Sequence, residues 1–118
     1  MWEIIFHSEF EEWFFTEDSE VQDSIGMVLD ILEQQGAALG RPYVDSIKGS
    51  SFSNMKELRV QHDGKPYRIL FAFDPQRQAV LLLGGNKGGD KRWYQVNIPI
   101  ADQRFAQYLE ETKEGKYL

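Results

Sequence analysis

The chain has 118 residues, a net charge of -6, 42% hydrophobic and 14% aromatic residues, and no cysteine. That length sets the expectation of a single domain, residues 1–118, and the composition excludes a disordered chain. Without cysteine there is no disulfide framework, cysteine-based zinc site or thiol nucleophile.

The opening stretch MWEIIFHSEFEE lacks a basic region and a long apolar run, so it does not read as a signal peptide. No segment approaches the roughly 18–20 apolar residues that span a bilayer. A cytoplasmic location away from any membrane is the expectation. Residues 2–7, WEIIFH, predict a first strand, and 9–15 a short helix. Ser19 and Gln22 have capping-box spacing ahead of a helix whose apolar stripe is Val21, Ile25, Val28, Leu29 and Leu32. Gly36 is its expected stop, and Gly26 inside it suggests a close approach by another element.

Residues 37–54 read as loop, with Gly40, Pro42, Gly49 and a run of serines. Three strands follow, at 55–61, 67–74 and 78–83, joined by turns at 62–65 and 74–77. The second and third are apolar on both faces apart from Arg68, which places them at the sheet centre. Pro99 is expected to open a last helix with Ala101, Phe105, Tyr108 and Leu109 inward and Gly115 as its end. The predicted class is α+β, order β-α-α-β-β-β-α, a twisted, mainly antiparallel sheet with helices packed on one face.

Charge is segregated along the chain. Residues 1–55 hold 11 acidic and 2 basic side chains, and residues 56–94 hold 4 acidic and 8 basic. A basic half of this kind points to a polyanion. The glycine-rich stretch GGNKGGDKRWY, residues 84–94, is not a phosphate cradle. From Gly84 the P-loop spacing reaches Gly89, but Asp90 stands where lysine is required, and no serine or threonine follows to hold magnesium. No Rossmann fingerprint is present. The only histidines, His7 and His62, have no metal-binding spacing, so no metal or other cofactor is expected.

What remains is a basic set, Lys56, Arg59, Arg68, Lys87, Lys91 and Arg92. Arg68 interrupts an apolar strand. Burying an unpaired guanidinium is costly, so Arg68 either pairs with Glu57 on the neighbouring strand or reaches an anionic ligand. Trp93 and Tyr94 can stack on bases or pack in the core, and the core is expected to claim one of them.

The runs LGRPYVDSIKGS (39–50), NMKELRVQHDGKPYRILFAFDP (54–75) and AVLLLGGNKGGDKRWYQVNIPIADQRFAQYLEE (79–111) resemble the phage-derived HigB-like toxins of the RelE/ParE superfamily of type II toxin–antitoxin systems. The resemblance covers nearly the whole chain. It implies a RelE/ParE-like fold, a helix-turn-helix antitoxin partner, and a metal-independent endoribonuclease that cuts mRNA on the ribosome. In that reaction the ribose 2′-OH attacks the adjacent phosphate, and basic side chains stabilise the developing charge.

Carried onto this chain, the resemblance makes Arg68, Tyr94, Lys56 and His62 the candidate catalytic residues. Arg59, Lys87, Lys91 and Arg92 become the candidate RNA-binding residues. Asn86 stands before Lys87 where the subgroup carries an acid. A binding-only toxin of the gyrase-inhibiting ParE kind, or an inactive relative that only binds antitoxin, are the competing readings.

Overall fold

The computed structural model describes residues 1–113. Five strands form one mixed sheet in the order β1-β5-β4-β3-β2: β1 (Glu3–Phe6), β2 (Val44–Ser46), β3 (Met55–His62), β4 (Lys65–Phe73) and β5 (Gln78–Asn86). β1 runs parallel to β5, and the other neighbours are antiparallel. Three α-helices accompany them: α1 (Ser8–Thr16), α2 (Ser19–Gln35) and α3 (Trp93–Lys113). The α+β class and the central placing of β4 and β5 agree with the pattern of the sequence.

The helices do not all pack on one face, contrary to expectation. α1 and α2 bury Phe10, Phe14, Ile25, Leu29 and Leu32 against Leu58, Ile69, Phe71 and Leu81. α3 buries Trp93, Ile98, Ala101 and Phe105 against Met55, Leu70, Ala72, Val80 and Leu82 on the other face. This is why Ile69–Phe73 and Ala79–Leu83 are apolar throughout: apart from the bulge at Leu82, successive side chains face alternate helix layers.

Several local expectations are corrected. Residues 37–54 are not all loop, because Val44–Ser46 pair with Leu58–Lys56 as an edge strand after a short 3₁₀ turn, Gly36–Ala38. The cap position of α2 is Asp18 rather than Ser19, and it makes no side-chain cap bond; Gln22 instead donates to the carbonyls of Phe14 and Glu17. Nothing lies close above Gly26. α3 starts at Trp93, so Pro99 sits inside the helix. Asp90 explains the early start: its carboxylate accepts from the Arg92 N–H at 2.9 Å, and its carbonyl from the Trp93 N–H. Gly115, the expected end of that helix, lies outside the described residues.

The hairpin between β3 and β4 turns on Asp63 (φ 49°) and Gly64 (φ 73°), both left-handed, as a two-residue turn matched to strand twist requires. Between β4 and β5 the register shifts: Leu70 faces Leu83 while Phe71 faces Leu81. The extra residue, Leu82, lets both Leu82 and Leu83 pack on the α3 side. Arg104 of α3 donates to the Leu82 carbonyl at 2.8 Å and pairs with Glu9 of α1 at 2.7 Å.

Past the bulge, Gly84 and Gly85 turn their bare backbones to opposite faces. Trp13 lies where a Cβ on Gly84 would be, and Trp93 where one on Gly85 would be. The first three residues of the glycine-rich stretch are therefore strand, and only 87–92 form the turn.

Candidate functional site

Alternation along β3 sorts its polar side chains. Glu57 and Arg59 point toward the α3 face, whereas Lys56, Leu58, Val60 and His62 point toward α1 and α2. On β4, Arg68 is register partner to Arg59 and lies on the α3 face with Leu70 and Ala72. Two guanidinium groups directly across a strand pair repel each other. Glu57 resolves the conflict.

Glu57 is a buried carboxylate, its side chain only 4% exposed. Its Oε2 accepts from Arg59 Nε at 2.9 Å, and its Oε1 accepts from the Tyr94 hydroxyl at 2.5 Å. Arg68 Nε stands 3.6 Å from Oε1, too far for a hydrogen bond. That nitrogen is buried with no hydrogen-bond partner, while Arg68 Nη1 donates to the Tyr67 carbonyl at 3.0 Å. Of the two readings open for Arg68, the ion pair with Glu57 is present, and one of its donors is left over.

The helix start delivers Tyr94. Trp93 packs on Gly85 and is buried, so of the two aromatics it is the tryptophan that the core claims. Tyr94, one residue further round the helix rather than on an extended segment, reaches Glu57. Burial raises the Tyr94 pKa above the ordinary tyrosine value, and the bond to Glu57 raises it further, against an opposing effect of Arg68. Lys87 sits over the Tyr94 ring, its Nζ 5.7 Å from the centroid.

On the β2 side, Asp45 accepts from Arg41 at 2.8 Å and from Arg59 at 3.3 Å. The Arg41 bond leads the causes that lower the Asp45 pKa, and the bond to Glu57 leads those that raise that of Arg59. Asp45, Lys48, Glu57, Arg59, Tyr94 and Ile98 line an open cavity of about 340 Å³.

The structure thus joins Arg59, Arg68, Tyr94 and Lys87 of the candidate residues. Lys56 and His62 are on the opposite face of the sheet, where the His62 ring meets Ser24 of α2. Lys91 and Arg92 are exposed in the turn before α3. Glu57, expected only as a counter-ion, is the centre of the site, and Lys48 and Asp45 were not foreseen. Their signal was weak because β2 is three residues long and set among serines and glycines.

Stability at alkaline pH follows from Tyr94. Its folded pKa is raised, so its contribution is complete below the unfolded value of about 10 and is lost as pH rises through the folded value. Urea denaturation between pH 8 and 11 is expected to show falling stability. Tyr94→Phe should shrink that fall without removing it, because the Tyr67 pKa is raised as well, chiefly by burial. An unchanged pH slope in Tyr94→Phe would contradict the assignment.

Residues 12–106 match the family described as "Phage derived protein Gp49-like (DUF891)". A protein of Mycobacterium tuberculosis (strain ATCC 25618 / H37Rv) named "Putative toxin HigB3" is 50% identical over 113 residues, covering 95% of this chain and 97% of that relative. A second protein of the same strain, "Putative toxin HigB2", is 43% identical over 106 residues, covering 88% of this chain and 53% of that longer relative.

Proposed function

The chain belongs to the phage-derived Gp49-like family and is a HigB-like toxin of a toxin–antitoxin system, and we propose that it acts as a ribosome-dependent, metal-independent mRNA endoribonuclease. The observation that carries this reading is Arg59 and Tyr94 lining one open cavity around Glu57, with the Arg68 guanidinium, whose buried Nε makes no hydrogen bond, paired to the same carboxylate behind them. A phosphodiester oxygen in that cavity would accept from the Arg59 guanidinium, with the charge of Arg68 behind it.

Cleavage forms a bond between the ribose 2′ oxygen and phosphorus, with the 2′-OH proton passing to solvent, and breaks the bond to the 5′ oxygen, which takes up a proton. The products are a cyclic phosphate and a free 5′-OH. Arg68 and Arg59 suit the charge that builds on the phosphoryl oxygens. Tyr94, held protonated by burial and by Glu57, suits proton donation to the departing 5′ oxygen rather than proton abstraction. Lys87, its Nζ 5.7 Å from the centroid of that ring and partly exposed, suits contact with the backbone of the RNA. The partners under this reading are mRNA, the ribosome and a helix-turn-helix antitoxin, in the cytoplasm. No helix among the described residues is long and apolar enough to cross a membrane.

One observation favours a second reading. Glu57 and Asp45 already engage both arginines, which would suit a toxin that binds its target without cutting, as ParE-type gyrase inhibitors do. Induced expression separates the two. Growth arrest with new mRNA 5′ ends inside translated codons is the expected result; arrest without new ends would favour the binding-only toxin. Three phosphate contacts, from Arg59, Arg68 and Lys87, predict a salt slope of about -2 in log affinity for single-stranded RNA. A flat salt response would contradict phosphate contacts.

A further inference from the structure

The sequence carries no metal-binding motif, yet the fold brings three ligand-type side chains from separate elements to one point. Glu20 in the first turn of α2, His62 at the end of β3 and Asp63 in the hairpin turn place ligand atoms within 4.8 Å of one another. The His62 side chain is 15% exposed and that of Asp63 77%, so the imidazole is held while the carboxylate is free to swing. Glu20 is exposed as well.

A second observation concerns the ring itself. Ser24 Oγ, one helical turn beyond Glu20, lies 2.8 Å from His62 Nδ1. The other nitrogen, Nε2, is thereby turned toward Asp63 Oδ2, 3.5 Å away. When Nδ1 donates to the hydroxyl, Nε2 presents its lone pair to a carboxylate, and two acceptors face each other with a cation's place between them. The serine hydroxyl can donate or accept, so it holds the ring in place and leaves a metal to select the tautomer with Nδ1–H; an outer hydrogen bond to the far nitrogen is how metal-ligating imidazoles are oriented. The adjoining cavity, about 180 Å³, is also lined by Glu17 and Asp18, which deepen its negative potential, and by Lys65, which partly offsets it.

We propose that Glu20, His62 and Asp63 form a binding site for a divalent transition-metal ion of the zinc type, which clips α2 to the β3–β4 hairpin. One imidazole and two carboxylates suit zinc and its first-row neighbours, whereas magnesium and calcium favour oxygen donors alone. Tetrahedral coordination needs ligand atoms about 3.3–3.5 Å apart, and rotation of the two exposed carboxylates closes the remaining gap. The site lies on the α2 side of the sheet, away from Glu57 and Tyr94, so its role is structural: it steadies the hairpin that presents Arg59 and Arg68. The metal-independent chemistry proposed above is untouched by it.

The chain has two histidines and no cysteine, so the site can be traced with few variants. Zinc chloride titrated into the purified chain, followed by calorimetry and thermal melting, is expected to show one equivalent bound and a melting temperature several degrees higher. Cobalt(II) should give a tetrahedral-type visible absorption. His62→Ala should abolish both signals, Glu20→Gln should weaken binding at least tenfold, and His7→Ala should leave it unchanged. No zinc-dependent change in the unaltered chain overturns the proposal. So does binding that survives both His62→Ala and Glu20→Gln; should His62→Ala fail to fold, full-strength binding by the surface variant Glu20→Gln does the same.

Discussion

Arg68→Ala is expected to lower mRNA cleavage by about 100- to 1,000-fold while leaving the protein folded. The rate loss is the scale for removing one charge-stabilising donor from a site where charge develops in the transition state. The fold should survive because Glu57 is not orphaned: Arg59 at 2.9 Å and the Tyr94 hydroxyl at 2.5 Å still hold both of its oxygens. The Tyr67 carbonyl loses a donor, and Glu57 loses a charge at 3.6 Å, so the stability cost should stay near 1–3 kcal/mol. Single-turnover cleavage on translating ribosomes, read beside urea denaturation, checks both halves. An unfolded Arg68→Ala protein would make Arg68 a structural counter-ion and remove it from the chemistry; a folded variant with full activity would remove it as well.

The second large effect falls on stability. Glu57→Ala should cost about 3–5 kcal/mol, the scale for stripping the partner from a buried charge. Arg68, with its side chain 12% exposed, would keep its guanidinium in the interior opposite Arg59 with no carboxylate between them, and the Tyr94 hydroxyl would lose its acceptor. Measured against a typical total of about 5–15 kcal/mol, such a loss brings the domain close to unfolding. Glu57→Gln retains an acceptor for Arg59 and Tyr94 and should recover a substantial part of it. Equal midpoints in urea for Glu57→Ala and the unaltered chain would show that the arginines do not depend on this carboxylate.

Much of the fold is written in local patterns. The Asp-Gly pair gives the β3–β4 turn, the spacing of Val21, Ile25, Val28, Leu29 and Leu32 gives the buried stripe of α2, and the unbroken apolar runs of β4 and β5 place them centrally. What escaped local reading was set by distant partners. The start of α3 at Trp93 depends on Asp90 and on the bare backbone of Gly85, and a proline inside the helix disguised it. The three residues of β2 carry too little pattern to be seen without β3 beside them.

The site was half legible for a related reason. Residue type alone grouped Lys56 with Arg59 and Arg68, but three positions along a strand is an odd step, and an odd step crosses the sheet. Applying that parity to β3 would have separated Lys56 and His62 from the cluster and joined Glu57 to it. The pairing of Glu57 with Arg68 was one of two alternatives the sequence allowed. The meeting with Tyr94 was not foreseeable, because it depends on how α3 docks.

The division of the interior by the sheet has a bearing on how such a chain diversifies. Phe105 and Leu32 belong to separate apolar compartments whose shared wall is the backbone of β4 and β5. Side chains that never touch perturb stability nearly independently. Apart from the Glu9–Arg104 ion pair that ties α1 to α3 and the Ser24–His62 contact of α2 with the hairpin, substitutions beneath α1 and α2 should have little effect on the helix that carries Tyr94, which leaves that layer room to vary while the reactive face keeps its shape.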